Sequence, residues 1–406
     1  MAKFIDVLGR PDLSYPIIHI AGTNGKGSTA AMLEHIFRSA GYRTGLFTSP
    51  HLVFLGERIQ VNREMISKDE IIELVKELDF HAKVVSKDIW DDHPTFFELM
   101  AAMAFLYFHQ QEVDIGIVET GLGGRLDATN VIDPLLSIIT SIGLEHTRIL
   151  GDTVEKIAGE KAGIIKPGKP VVIGRVPEVC MHVIGDIAAG KNSQLISVQE
   201  NFGDDLEKYP STNLFGTFQS WNAATAITAC RAVESQFPDL RSVPENALQS
   251  VDWPARWESL SLSCGRELIL DATHNPEGSH FLDENLASLV AELGQKPWIV
   301  AGTLGEFRAR YLMPVVAKHA RGLFLLEPQQ PRAATFGVLR RYLPLQSGFP
   351  VNNTTKEMLF PDEQTCSIGQ PGDTIVVTGS IYLLGEVLAR LTGQESESGS
   401  ALQDLP

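Results

Sequence analysis

A glycine-rich stretch between a predicted strand and a predicted helix carries the clearest chemical pattern in the sequence. Residues 22–28 (GTNGKGS) follow the apolar run 16–21 (PIIHIA) and precede apolar residues with helical spacing. Glycines let successive backbone N–H groups face one point, the helix N-terminus adds about half a positive charge, and Lys26 adds a full one. The stretch departs from the strict phosphate-loop pattern because Gly27 separates Lys26 from Ser28. We therefore predict a phosphate-binding loop, with a glycine-rich turn without ligand as the alternative.

Two further groups follow predicted strands. Glu119 ends the apolar run 114–119, and His146 follows the run 135–142 by a short loop. Because ligands of parallel sheets bind at the carboxyl ends of the strands, Glu119 is placed to hold Mg²⁺, with a solvated strand-end carboxylate as the alternative. His146 is either a second metal ligand or an ordinary surface histidine. From its residue type alone, Lys161 is interpreted as a solvated lysine on a helix.

The second half of the chain has its own strand-to-helix junction. Residues 271–276 (DATHNP) close one predicted strand and open a helix, which puts Asp271 and His274 at the carboxyl edge of a sheet. Arg256 is able to bind a phosphate through two N–H groups. The alternative for this segment is structural, with Asn275 capping the helix.

The order of apolar runs and helical patterns predicts an α/β fold with a mostly parallel sheet in each of two domains. We predict a P-loop-type domain at 1–252, a smaller Rossmann-like domain at 253–392 and a disordered polar tail at 393–406. The predicted strands are 16–21, 43–48, 114–119, 135–142, 170–174, 267–271, 298–302, 322–326 and 374–378. One predicted helix begins directly after the loop at 22–28, and the others span 95–110, 153–163, 221–235, 279–293 and 382–391.

Composition limits the classes of protein that remain. The 406 residues are 44% hydrophobic and 21% charged, which is typical of globular proteins and excludes a disordered or collagen-like chain. The net charge of −16 argues against nucleic acid and anionic membranes as partners. The four cysteines are far apart, and no apolar run reaches the ~20 residues of a membrane span. We therefore predict a cytoplasmic protein, monomeric, with small-molecule partners.

Taken together, these motifs resemble those of the folylpolyglutamate synthase and dihydrofolate synthase family within the Mur-ligase superfamily. The resemblance runs from about Ile17 to Leu391. Nine blocks carry it in the family's order: HIAGTNGKGS (19–28), FTSPHL (47–52), GERIQVN (56–62), ETGLGGRLDATN (119–130), EHT (145–147), EKAGIIKPG (160–168), WPARWE (253–258), DATHNP (271–276) and VVTGSIYL (376–383).

The resemblance implies ATP-driven ligation, in which a pterin carboxylate, of dihydropteroate or a folate, is phosphorylated and then attacked by the amino group of L-glutamate. It implies two Mg²⁺ ions and a carbamylated Lys161. By matching position, the resemblance assigns nucleotide binding to Gly22, Thr23, Asn24, Gly25, Lys26, Gly27, Ser28, Asn222, Arg256 and Asp271, catalysis to Lys26, Lys161 and His274, metal binding to Ser49, Glu119 and His146, and the pterin side to Thr95, Phe97 and Asp127.

Some positions depart from the family pattern. Glu145 replaces the usual aspartate before the metal-binding histidine, Thr273 lies inside the DATHNP block, and the segment 302–307 lacks a common Lys-Asp pair. A Mur enzyme acting on a cell-wall precursor does not fit, because only 21 residues precede Gly22. Two alternatives remain: a divergent paralogue that uses another acid, and a nucleotide-gated P-loop binding protein. The sequence leaves open whether the enzyme makes dihydrofolate, lengthens glutamate tails, or does both.

Overall fold

The computed structural model describes residues 1–87, 93–243, 246–345 and 348–394. The chain divides into two compact units. The first unit contains Met1–Pro50, Gly56–Asn213 and Thr217–Asp252, and the second contains His51–Leu55, Leu214–Gly216 and the chain from Trp253 onward. Apart from Gly393 and Gln394, the tail predicted to be disordered lies outside the described residues.

The first unit is built on an eight-stranded sheet with the order β4-β3-β2-β5-β1-β6-β7-β8. Neighbouring strands are parallel except for β3, which is antiparallel to both β2 and β4. The strands are β1 (Ile17–Ala21), β2 (Thr44–Phe47), β3 (Ile59–Val61), β4 (Glu64–Met65), β5 (Ile115–Glu119), β6 (Leu136–Ile139), β7 (Val171–Ile173) and β8 (Leu195–Ser197).

Helices connect these strands. Two of the longer ones begin with capping boxes, in which Ser67 pairs with Glu70 and Thr95 with Glu98. The helices are α1 (Ala2–Val7), α2 (Lys26–Ser39), α3 (Lys68–Ser86), α4 (Phe96–Gln110), α5 (Thr147–Leu150), α6 (Val154–Ala162), α7 (Glu178–Gly190), α8 (Val198–Phe202) and α9 (Thr217–Val233).

The second unit has a six-stranded sheet with the order β13-β12-β11-β14-β10-β9, in which only β9 pairs antiparallel. Hydrophobic clusters cover both faces, one containing Leu268 and Val377 and the other Ile269 and Val376. The elements are β9 (Arg256–Ser261), β10 (Glu267–Asp271), α10 (Pro276–Leu293), β11 (Trp298–Ala301), α11 (Gly305–His319), β12 (Gly322–Leu326), α12 (Phe336–Arg341), β13 (Val351–Thr354), α13 (Lys356–Leu359), β14 (Thr374–Thr378) and α14 (Ile381–Leu391).

The predicted α/β class with two mostly parallel sheets is confirmed. Two long helices, α3 and α11, were not predicted from the sequence. In α11 the missed signal has a clear cause, because Pro314 lies inside the helix, where proline usually breaks the pattern. Nor were elements predicted for 175–218, where α7, β8 and α8 form. Within the described residues, no helix is both long and apolar enough to cross a membrane.

Candidate functional site

Three neighbouring strands of the first unit bring the predicted site residues together. β1 lies between β5 and β6, all parallel, and Ile20 is in register with Glu119. Parallel strands end at the same edge of a sheet, so the loop after β1 meets the residues that follow β5 and β6. The loop at 22–28 therefore lies beside Glu119.

The residues after β6 fix the conformation of this loop. The N–H of Thr23 donates to the carbonyl of Ser141 at 2.9 Å, and the N–H of Asn24 donates to the Ser141 hydroxyl at 2.9 Å. The hydroxyl of Thr140 donates to the Asn24 carbonyl at 2.7 Å, while the Thr23 hydroxyl accepts from the N–H of Gly143 at 2.9 Å. The loop is thus held through contacts distant in sequence.

Two glycines of the loop permit close approach. A Cβ on Gly22 would lie 1.9 Å from the Thr140 hydroxyl, and one on Gly25 would lie 2.2 Å from Oδ1 of Asn222. Gly25 also has a positive φ of 83° and precedes the first residue of α2. Asn222 therefore packs against the loop, and its amide donates to Oε1 of Gln219 at 2.9 Å.

Lys26 begins α2 and points along the same edge. Its Nζ lies 3.8 Å from Oε1 of Glu119 and 3.4 Å from the carbonyl of Thr23. The side chain is 18% exposed, so its charge is partly shielded from water yet accessible to a ligand. A cation at a helix N-terminus among backbone N–H groups is suited to binding phosphate oxygens.

Glu119 is a buried carboxylate at the end of β5. Its Oε2 accepts the N–H of Ser49 at 3.2 Å, so the structure brings together the two residues predicted for the first metal ion. Hard oxygen ligands fit Mg²⁺, which usually takes one or two carboxylates and completes its shell with phosphates and water. The described residues contain no cluster of three His, Cys, Asp or Glu side chains arranged for a metal. The residues present thus fit a metal held jointly with a nucleotide.

His146 lies in an exposed position just before α5, with a left-handed backbone at φ 50°. Its Nε2 is 3.9 Å from Oε1 of Glu145. Glu145, which departs from the family pattern, therefore lies beside His146, the residue predicted to bind the second metal ion. The role of His146 as a ligand stays a prediction.

Lys161 is buried near the end of α6 and is not a solvated surface lysine. Its Nζ donates to the carbonyl of Gly22 at 2.7 Å, which ties α6 to the phosphate loop. Burial and the nearby charge of Lys26 lower the pKa of Lys161 to about 7, and the charges of Glu145 and Asp127 partly oppose this shift. A substantial fraction of this amine is therefore neutral near pH 7.

The three residues predicted for the pterin side adopt different roles in the structure. The Thr95 hydroxyl caps α4 by accepting the N–H of Glu98 at 3.3 Å. The ring of Phe97 lies 5.9 Å from that of Phe47 and borders Gly121, where a Cβ would lie 2.5 Å from the ring. Asp127 is half-buried and accepts hydrogen bonds within its own loop. Phe97 and Asp127 thus both meet the turn that follows Glu119.

In the second unit, short-range contacts organise the junction between β10 and α10. Asp271 is buried, which raises the pKa of its carboxyl, and it accepts the N–H of Thr273 at 3.1 Å. The Nδ1–H of His274 donates to the carbonyl of Ala272 at 2.8 Å, which directs Nε2 away from this contact. Asn275 accepts the N–H of Gly278 at 2.8 Å, so the capping named as the structural alternative is observed.

Sequence reasoning missed the residues that support the loop. Thr140 and Ser141 shape it, and Gln219 orients Asn222. A signal for the first two was present, because they form a hydroxyl pair at the end of the predicted strand 135–142, where ligands of a parallel sheet bind. Gln219 lies three residues before Asn222 on α9, and nothing in the sequence distinguishes it.

Comparisons with known proteins identify the family of the chain. The family model of the Mur ligase middle domain matches residues 20–208. A dihydrofolate synthase/folylpolyglutamate synthase of Bacillus subtilis (strain 168) is 33% identical over 414 residues, covering 96% of this chain and 94% of that protein.

Solved structures give the same result. The folylpolyglutamate synthase of Thermotoga maritima matches with a TM-score of 0.80 at 30% identity, covering 98% of this chain and 93% of that one. A bifunctional folylpolyglutamate synthase/dihydrofolate synthase of Yersinia pestis, complexed with AMPPNP and a manganese ion, matches with a TM-score of 0.79 at 29% identity, covering 96% and 92%. With this identity over nearly the whole length of both proteins, the chain belongs to the folylpolyglutamate synthase/dihydrofolate synthase family of Mur ligases.

Proposed function

We propose that this protein is an ATP-dependent ligase that adds L-glutamate to dihydropteroate and to the glutamate tail of folates. The observation that carries the proposal is the arrangement at the edge of β1 and β5, where Lys26 and the loop at 22–28 lie beside the buried Glu119. The names of full-length relatives support the acid and amino-acid substrates, since the Bacillus subtilis relative is named for both activities.

The chemistry requires positioning and charge neutralisation more than a protein nucleophile. The backbone N–H groups of the loop and the Lys26 ammonium bind the ATP phosphates and stabilise charge on the phosphoryl group as it moves to the acid. The acyl phosphate then accepts the amino group of L-glutamate and releases phosphate. The contacts from Thr140 and Ser141 keep the loop in one conformation, so little reorganisation is needed at the moment of transfer.

Glu119 and Ser49 are the residues we propose for a Mg²⁺ ion, and Glu119 with His146 for a second. Such an ion supplies Lewis-acid stabilisation of the phosphates when bound. Because Glu119→Gln is nearly isosteric and removes only the charge, we expect it to retain the fold and lose Mg²⁺-supported turnover. The Mg²⁺ dependence of the rate measures this, and an unchanged dependence would assign the metal to another carboxylate.

We also propose that Lys161 is carbamylated. Its lowered pKa, about 7, leaves neutral amine available to react with carbon dioxide. Native mass spectrometry with and without bicarbonate tests the modification, and Lys161→Ala with added short carboxylic acids tests its role in turnover. A mutant with full activity would refute a catalytic role.

The experiment that tests the function compares two acids side by side. We expect ATP-dependent incorporation of labelled glutamate into both dihydropteroate and a reduced folate. Incorporation into one only would define a monofunctional enzyme, and incorporation into neither, with nucleotide still bound, would favour a divergent paralogue. A nucleotide-gated binding protein is disfavoured by the match along both units to ligases. The cytoplasmic location and the monomeric state stay predictions.

A further inference from the structure

A histidine in the central strand of the first unit has no role in the proposed mechanism. His19 lies in the middle of β1 and is fully buried. Its Nε2 is 2.8 Å from the hydroxyl oxygen of Thr129, in the short 3₁₀ helix Ala128–Val131. Its Nδ1 has no hydrogen-bond partner among the described residues. An apolar residue would fit a buried strand without this cost, so the imidazole calls for an explanation.

The directions of the hydrogen bonds are fixed by what each group is able to donate. Both oxygens of the Asp127 carboxylate accept backbone N–H groups, from Leu122 at 2.8 Å and from Thr129 at 3.0 Å. The Thr129 hydroxyl donates to Oδ1 of the same carboxylate at 2.5 Å. Thr129 must then accept the proton on Nε2 of His19. Burial lowers the pKa of His19 to about 3, so the ring is a neutral donor throughout the physiological range.

Asp127 in turn organises the turn after Glu119. Leu122, whose N–H donates to this carboxylate, directly follows Gly121 in the turn. Gly121 lies directly against Phe97, since a Cβ at that glycine would come within 2.5 Å of the ring. The chain of hydrogen bonds therefore runs from β1, which leads into the phosphate loop, to the turn that borders the predicted pterin side.

We propose that His19 and Thr129 are positioning residues for the acid substrate, holding Asp127 so that the turn at 121–124 keeps its backbone against Phe97. This inference rests on the proposed ligase function. Asp127 shapes the turn directly, because its two oxygens accept three hydrogen bonds, one from Leu122 and two from Thr129. Two of its three members, His19 and Thr129, are fully buried, so each broken link leaves a buried partner unsatisfied and one geometry is favoured.

Thr129 offers the cleanest test, because Thr129→Val removes the hydroxyl at nearly constant shape and Thr129→Ser restores it. In the full-length enzyme with Mg²⁺, we expect Thr129→Val to raise KM for the acid about tenfold, the scale of a lost hydrogen bond to a carboxylate. KM for ATP and the affinity for AMPPNP, measured by calorimetry, should stay within twofold. Thr129→Ser should return KM for the acid to within twofold of wild type.

A second pair of variants tests His19, at the other end of the chain of hydrogen bonds. His19→Gln carries an amide N–H that is able to replace Nε2, whereas His19→Leu carries none, so only the leucine variant should show the selective rise in KM for the acid. A purely structural role would instead lower the thermal unfolding temperature and the active fraction without changing KM.

Three outcomes decide the matter. A selective rise in KM for the acid, reversed by serine, supports the inference. If the wild type is active and Thr129→Val leaves KM for the acid unchanged, the inference is overturned and the proposed function stays intact. A wild type that binds AMPPNP but ligates no acid overturns the proposed function, and the inference falls with it.

Discussion

The two units each present a strand-to-helix turn at the carboxyl edge of a sheet, and the two turns are held in different ways. The phosphate loop at 22–28 is fixed by Thr140, Ser141 and Gly143, more than 110 residues away in the sequence. The side-chain hydrogen bonds that shape the turn at 271–275 span only two or three residues and include the Asn275 cap, while the N–H of Ala272 also donates to the carbonyl of Ala255.

Because the two turns are held differently, we expect them to respond differently to substitution. A turn held by its own side chains tolerates changes elsewhere and loses about the free energy of one cap when that cap is removed. A loop held by another strand depends on that strand for its shape, and a small displacement at a reacting centre costs far more in rate than in stability.

The largest expected effect is on Lys26, the full positive charge of the phosphate loop. We expect Lys26→Ala to lower the ATP-dependent rate by more than about a hundredfold, because the phosphoryl group loses its cationic partner. Lys208→Ala is the control, since that side chain is 69% exposed in the same unit. Product formation within tenfold of wild type would refute the assignment of this loop.

Gly22→Ala tests the dependence of the loop on its distant support. The new Cβ would lie 1.9 Å from the Thr140 hydroxyl, so we expect nucleotide affinity to fall at least tenfold. Adding Thr140→Ala should recover part of the loss, since it removes the clashing oxygen. Gly159→Ala, on α6 with nothing within 4 Å, should bind nucleotide normally. Equal affinities in all three variants would show that the close approach is unimportant.

Lys161 links the loop to α6 and makes stability depend on pH. Its pKa is about 7 in the folded chain and 10.5 in the reference state, so between these values the unfolded chain binds more protons. The free energy of unfolding contributed by this group therefore rises from about pH 7 upward and is lowest below pH 7. In buffer free of carbon dioxide, Lys161→Met should gain stability relative to wild type at pH 6.5, and gain less at pH 9. Urea unfolding at both pH values measures the difference, and a constant difference would contradict the assigned pKa.

The smallest effect is expected at the locally held turn. Asn275→Ala should lower the stability of the second unit by about 1 kcal/mol, because the N–H of Gly278 loses its acceptor. Asn275→Asp keeps an acceptor and should stay near wild type. Thermal unfolding of the full chain measures both, and a loss as large for aspartate as for alanine would show that the amide has another role.

Much of the fold and part of the site followed from the sequence. The strands Glu267–Asp271, Gly322–Leu326 and Thr374–Thr378 end where their apolar runs end. The helix α3 was missed, although Ser67 and Glu70 form a capping box at its start. For the site, strand-end position alone located Glu119 beside the loop, because the carboxyl ends of parallel strands share an edge.

The sequence by itself determined the α/β class, the position of the glycine-rich loop between a strand and a helix, and the asparagine cap, because glycine spacing, strand period and capping act over a few residues. Only the tertiary structure decided which charges are buried. From the sequence, Lys161 resembles a solvated helical lysine, but in the structure it is buried and donates to the carbonyl of Gly22. The hydrogen bonds from His19 through Thr129 to Asp127 were likewise invisible in the sequence, because His19 and Thr129 are 110 residues apart. Burial and proximity depend on how strands align, and that alignment is a property of the packed sheet.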